Sequence, residues 1–151
     1  MKMTELVYVT FIRTTPEKLW AAITQPEFTR QYWGGGENVS DWKKGSKWHH
    51  AMAEKPEEHW VIGDVLESQP PQRLVMTWVD PDNLAEVSRV TFELEPVEDM
   101  VSLRVIHSDI KPGSEREKNV SWGWPRVLSS MKSFLETGKG LNVYAGHHKP
   151  E

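Results

Sequence analysis

The chain has 151 residues, 38% hydrophobic and 26% charged, which suits one soluble globular domain with its own core and excludes a disordered chain. Its formal net charge of −4 argues against nucleic acid as the main partner, and no apolar run approaches the roughly 20 residues that span a bilayer. Cysteine is absent, so disulfides, thiolate zinc sites and cysteine nucleophiles are excluded and a reducing compartment is the expected home.

The start, Met1-Lys-Met-Thr-Glu-Leu6, has no signal-peptide core, and a cytoplasmic location is expected. Residues 6–13 read as a strand rich in β-formers. Thr15 and Pro16 then form a helix start, cap followed by first-turn proline. Leu19, Trp20 and Ile23 share one face of that helix, which should stop before Pro26. Pro26 opens a second short helix with Phe28 and Tyr32 inward, ended by Trp33-Gly-Gly-Gly36.

A run of strands follows. Residues 38–42 form a short one, and 47–53 set Trp48, His50 and Met52 on one face. Residues 59–68 form the next, broken by Pro70-Pro71, then 73–79, ended by the turn-rich Asp80-Pro-Asp-Asn83. Residues 87–94 place Val90, Phe92 and Leu94 on one face, and 100–107 place Val101, Leu103, Val105 and His107 on one face. This is the pattern of an antiparallel meander.

A polar link, 111–118, leads into an amphipathic helix carrying Trp124, Val127, Leu128, Met131 and Leu135 at helical spacing. Pro125 leaves two readings: a helix starting near Trp124, about 21 Å long to Thr137, or a longer one kinked at 123–125. Gly138 is placed to cap it. Residues 1–138 thus form one domain, and 139–151 a tail that reads as loosely ordered or partner-dependent. The fold class is α+β, a helix-grip arrangement: a curved antiparallel sheet wraps a long C-terminal helix, with two short helices after the first strand. The first strand should close against the last strand of the meander.

Several fragments in this order resemble the family named for the activator of the heat-shock-protein-90 ATPase. They are Thr15-Pro-Glu-Lys-Leu-Trp20, Gln25-Pro-Glu-Phe28, Tyr32-Trp33, Gly63-Asp-Val65, Pro70-Pro-Gln-Arg-Leu74 and Thr77-Trp78. Further along come Val90-Thr-Phe-Glu-Leu-Glu-Pro96, Leu103-Arg-Val-Ile-His107, Gly123-Trp124 and Glu136-Thr-Gly138. The resemblance runs from about Val7 to Gly138. It implies the START-type, birch-pollen-allergen-like superfamily (SRPBCC), whose members commonly hold a hydrophobic ligand between sheet and long helix. It also implies a chaperone as a candidate partner, and it supplies no family-wide catalytic residues.

If the helix covers the concave face, Trp124, Leu128 and Met131 look toward the sheet. Trp33, Trp48, Met52, Met76 and Trp78 are candidates to face them, and tryptophan beside methionine makes an adaptable wall for apolar or aromatic ligands. His50 and His107 are the polar candidates inside such a pocket. The competing reading fills the space with these side chains and satisfies both histidines internally. Arg89 and Arg104 are expected outward, on solvated positions.

His49-His50, His59 and His147-His148 form no expected metal site, because adjacent strand histidines point to opposite faces. Gly34-Gly-Gly36 lacks the spacing of a phosphate loop and reads as a mobile loop after the second helix, which the superfamily resemblance implies would border the mouth of a cavity. No GxSxG elbow is present. The expected function is binding of a small hydrophobic molecule without a cofactor. The alternatives are a cyclase, dehydratase or hydrolase on the same fold, or a stress-related chaperone partner using Trp42, Trp122 and the tail. A homodimer is a further alternative.

Overall fold

The structure, a computed structural model, describes residues 2–146. Strand β1, Thr4–Ile12, alternates half-buried and exposed positions and ends on fully buried Ile12. The inward row (Leu6, Tyr8, Ile12) packs against the core, whereas Val7, Val9 and Phe11 point to solvent. Helix α1, Pro16–Thr24, starts as expected: the Thr15 hydroxyl accepts from the Lys18 N–H, satisfying a donor that the first turn leaves free. Gln25 is extended, as the residue before a proline must be, and it separates α1 from α2, Pro26–Tyr32.

Six strands then run as a meander: β2 Gly36–Ser40, β3 Lys47–Met52, β4 His59–Gln69, β5 Arg73–Asp80, β6 Asn83–Val97 and β7 Met100–Ile110. All neighbours are antiparallel, in the order β1-β7-β6-β5-β4-β3-β2. The first strand does close on the last, with Leu6 opposite His107 and Ile12 opposite Val101. β1 and β2 are therefore the two edges. The sheet curves around the long helix, giving the α+β helix-grip fold.

Helix α3 is the longer of the two forms considered. It spans Glu115–Thr137, about 34 Å at 1.5 Å per residue, with Pro125 inside it. Its start lies in what read as a polar link. Ser114 caps the helix, its hydroxyl accepting from the Glu117 N–H. At the far end Gly138 adopts the left-handed conformation, φ 87°, and its N–H reaches the Phe134 carbonyl at 2.8 Å. β6 also starts earlier than residue 87, because residues 81–82 alone make the turn after β5.

Val90, Phe92 and Leu94 on β6, and Val101, Leu103 and Val105 on β7, form the inner face. Each such side chain removed from water contributes about 1.5–3 kcal/mol before ordering costs. Arg89 and Arg104, on the opposite parity, are exposed as expected. The tail departs from its reading as far as it is described. Val143 is buried, the Leu141 N–H donates to Ser130 Oγ at 2.8 Å, and Arg126 Nη1 donates to the Ala145 carbonyl at 2.6 Å. His147 and His148 lie outside the described residues.

Candidate functional site

The first half of α3 and the sheet beneath it leave a cleft of about 600 Å³. Five tryptophans line it, together with charged and amide side chains. Trp33 enters from the end of α2, Trp60 from β4, Trp78 from β5, and Trp122 and Trp124 from α3. Trp124 is the hub, with its ring 5.7 Å from Trp33, 5.7 Å from Trp78 and 6.0 Å from Phe92 between centroids. These are the tilted and edge-on contacts that aromatic quadrupoles favour. Flat rings meeting edge to face leave corners open, and aliphatic chains do not fill them here.

His107 sits behind Trp124. The indole N–H of Trp124 donates to His107 Nδ1 at 3.0 Å, so that nitrogen is unprotonated. The ring proton is then on Nε2, 2.8 Å from Ser88 Oγ, and the Ser88 hydroxyl donates on to the Trp78 carbonyl at 3.3 Å. Burial, and then the Arg116 charge, push His107 down to about 3. The ring is neutral near pH 7, fully engaged, and fixes the Trp124 wall from behind.

His50 is built differently. Its Nδ1 lies 2.6 Å from the Asn38 side-chain oxygen and so carries the proton. Nε2 is left as an acceptor with no partner among the described residues, and the His50 ring lines the cleft. Burial, and then His49, push His50 down to about 4. Gly36 makes room for this ring: a β-carbon there would stand 2.3 Å from His50 Cε1. Gly34, at φ +60°, plays the same part for the tail, where a β-carbon would stand 2.3 Å from the Tyr144 ring. The triple-glycine segment is thus a packed junction of α2, β3 and the tail, and not the free loop expected from three glycines.

Of the residues expected at a ligand site, Trp33, His50, Trp78 and Trp124 line the cleft. Trp48 lies just behind it, its ring 5.6 Å from Trp78 and its indole N–H on the Thr77 carbonyl. Met52 is half-buried under Gly35, at the far end of β3. Met76, Leu128 and Met131 belong to the closed core, and His107 to the support behind the wall. Arg116, Trp60, Val127, Val143 and Tyr144 line the cleft without having been expected there. Arg116 had a legible signal: Ser114-x-x-Glu117 is a capping box that starts the helix early enough to turn Arg116 inward. The tail residues had none.

Metal ligation has little material. His49 and His59 stack at 3.9 Å, and among the described residues no three His, Asp or Glu side chains cluster to hold an ion. Among the same residues no helix is long and apolar enough to cross a membrane.

A seven-stranded antiparallel sheet gripping one long C-terminal helix, with an aromatic cleft between them, defines a protein of the START-like helix-grip class. The family model "Activator of Hsp90 ATPase homolog 1-like protein" matches residues 13–136, and the chain belongs to this family. Solved structures share the fold. The Aha1 dimer from Colwellia psychrerythraea superposes with TM-score 0.76 at 20% identity, over 91% of this chain and 100% of that one. An HSP90 activator from Plasmodium falciparum does so with TM-score 0.72 at 22% identity, over 89% and 96%. CalU16 from Micromonospora echinospora does so with TM-score 0.70 at 22% identity, over 90% and 78%. No curated protein matches the chain.

Proposed function

We propose that this protein binds a small apolar or aromatic molecule in the cleft between α3 and the sheet, without catalysing a reaction on it. The observation that carries this reading is the cleft itself: about 600 Å³ walled by five tryptophans, within the range of small-molecule sites. Trp60 in particular is 52% exposed in the wall, a costly placement for an indole unless something covers it. Trp33, Trp78 and Trp124 supply flat apolar faces, and His50 Nε2 supplies one acceptor for a ligand hydroxyl or N–H. Trp48, Met52, Met76, Leu128, Met131 and His107 support those walls and do not touch the ligand. The neutral aromatic N-phenyl-1-naphthylamine, whose emission rises in apolar surroundings, tests the reading. Saturable binding that weakens in Trp60→Ala supports it. Absence of saturable binding, or binding indifferent to Trp60→Ala, removes it.

A protein–protein role is the second reading, favoured by a separate observation. Val7, Val9 and Phe11 expose 48%, 49% and 46% of their surface in one row on edge strand β1. Trp42 and Trp122 are only half-exposed and suit that role less. One structural neighbour is a dimer and another an HSP90 activator, which makes a second copy or a chaperone the partners to try first. A monomeric mass in solution together with no effect on a purified HSP90-class ATPase would remove this reading.

A further inference from the structure

Among the charged side chains that line the cleft, Arg116 is the most buried. Arg116, in the first turn of α3, is 9% exposed and lines the cleft. Buried guanidinium groups are normally paired, because an uncompensated buried charge is costly. No carboxylate oxygen lies within 4 Å of Arg116 among the described residues. Its one hydrogen bond there runs from Nη1 to the Glu86 carbonyl at 2.6 Å. A guanidinium has five N–H donors, so most of its donor fork is unspent.

Three acids line the cleft with it, none in an ion pair with it among the described residues. Asp80 and Glu115 also line the cleft, but both are exposed, where water and salt screen them. Glu86 accepts from Asn83 Nδ2 through Oε2 at 2.8 Å, and its Oε1 is buried without a donor among the described residues. The cleft lining therefore holds a cation with donors left for a ligand, a buried carboxylate oxygen without a donor, and the His50 ring, whose Nε2 has no protein partner among the described residues.

We propose that the ligand of this cleft is an aromatic anion: a flat ring system against the tryptophans, with its carboxylate, sulfonate or similar oxyanion on the free donors of Arg116. A hydroxyl or N–H elsewhere on the same molecule donates to Glu86 Oε1 or to His50 Nε2. Arg116 is thus the group that selects charge, and the tryptophans are the groups that select shape. This inference rests on the ligand-binding reading above.

The test uses two probes with one carbon framework, 8-anilinonaphthalene-1-sulfonate and N-phenyl-1-naphthylamine, which differ by the sulfonate. Fluorescence titration of the full chain should give an affinity for the sulfonate about tenfold higher than for the neutral amine, the scale of one charge-assisted contact. In Arg116→Gln, which keeps a donor for the Glu86 carbonyl, the ratio of the two affinities should fall to near one. Lys118→Gln, on an exposed cation of the same rim, should leave the ratio in place. Equal affinities in the wild type overturn the inference, as does a sulfonate preference that survives Arg116→Gln. The wild-type ratio alone decides whether charge is read, so the inference remains testable if the variant does not fold. If neither probe responds to Trp60→Ala, the ligand-binding reading itself has failed.

Discussion

One helix, α3, carries both regions, yet its two halves are packed in different ways. In the second half, Leu128 and Met131 are buried members of the core cluster that also holds Met76, Leu74 and Leu103. Under the first half, Trp124 meets Trp33, Trp78 and Phe92, and about 600 Å³ stays open. Aliphatic chains with several rotamers can fill irregular gaps, and thioethers do so best. Indoles are rigid plates that touch at edges. The difference teaches that pocket and core here are two outcomes of side-chain shape on one scaffold.

The two inner histidines repeat the contrast. His107 spends both ring nitrogens on Trp124 and Ser88, whereas His50 spends one on Asn38 and leaves the other without a partner among the described residues. The first is a structural bolt, and the second is the group proposed to meet a ligand.

The sharpest way to break this comparison is Trp124→Ala. It removes the hub of the aromatic wall and leaves His107 Nδ1 without its donor. Urea unfolding should show a loss of about 4 kcal/mol, the upper range for a buried aromatic. A loss below about 1 kcal/mol would mean that the wall is not part of the cooperative core.

Met131→Ala probes the closed half. Met131 is fully buried, and its truncation should cost about 3 kcal/mol while changing probe affinity in the cleft by less than about twofold. A large change in affinity would show that the two halves are coupled.

Acid sharpens the histidine contrast. Both inner histidines sit well below 6.5 in the folded chain, at about 3 for His107 and about 4 for His50. The unfolded chain therefore binds protons first as pH falls below 6.5, and stability declines from there toward pH 4. Each histidine costs about 1.4 kcal/mol at pH 5.5 and nothing above pH 7.5. Replacing His50 by Gln should lower the slope of unfolding free energy against pH across that window. An unchanged slope would place the acid sensitivity elsewhere.

Trp60→Ala has the smallest expected effect on stability, within about 0.5 kcal/mol, because the side chain is half in water. Its effect on binding should be larger, about fivefold weaker for an apolar probe, as expected for roughly 1 kcal/mol of lost burial. Loss of stability without loss of binding would mark Trp60 as core after all.

The strands and caps were legible before any coordinates. Val90, Phe92 and Leu94 had to share a face because strand parity is two, and Thr15-Pro16 and Gly138 had to mark helix ends because of backbone donors and a left-handed turn. Four of the ten expected site residues reach the cleft: Trp33, His50, Trp78 and Trp124. Of the others, Trp48 and His107 stand behind the wall, Met52 lies at the far end of β3, and Met76, Leu128 and Met131 are buried in the core. Periodicity tells a side chain's direction and is silent on which partner it meets there. Met76 and Met131 point inward as expected and are buried in the core cluster.

The amino-acid sequence by itself determined the element order, the inner face of each strand, the α+β helix-grip class and the family, since these follow from local backbone chemistry, hydrophobic period and motif order. Only the tertiary structure decided that α3 runs through Pro125, that Arg116 is buried and that Val143 and Tyr144 return to the cleft rim. It also decided that His107 is bonded shut while His50 remains open on one side. Those outcomes depend on contacts between residues far apart in the chain, as from Glu86 to Arg116 or from Gly34 to Tyr144, and no local pattern encodes the distance that such pairs reach in space.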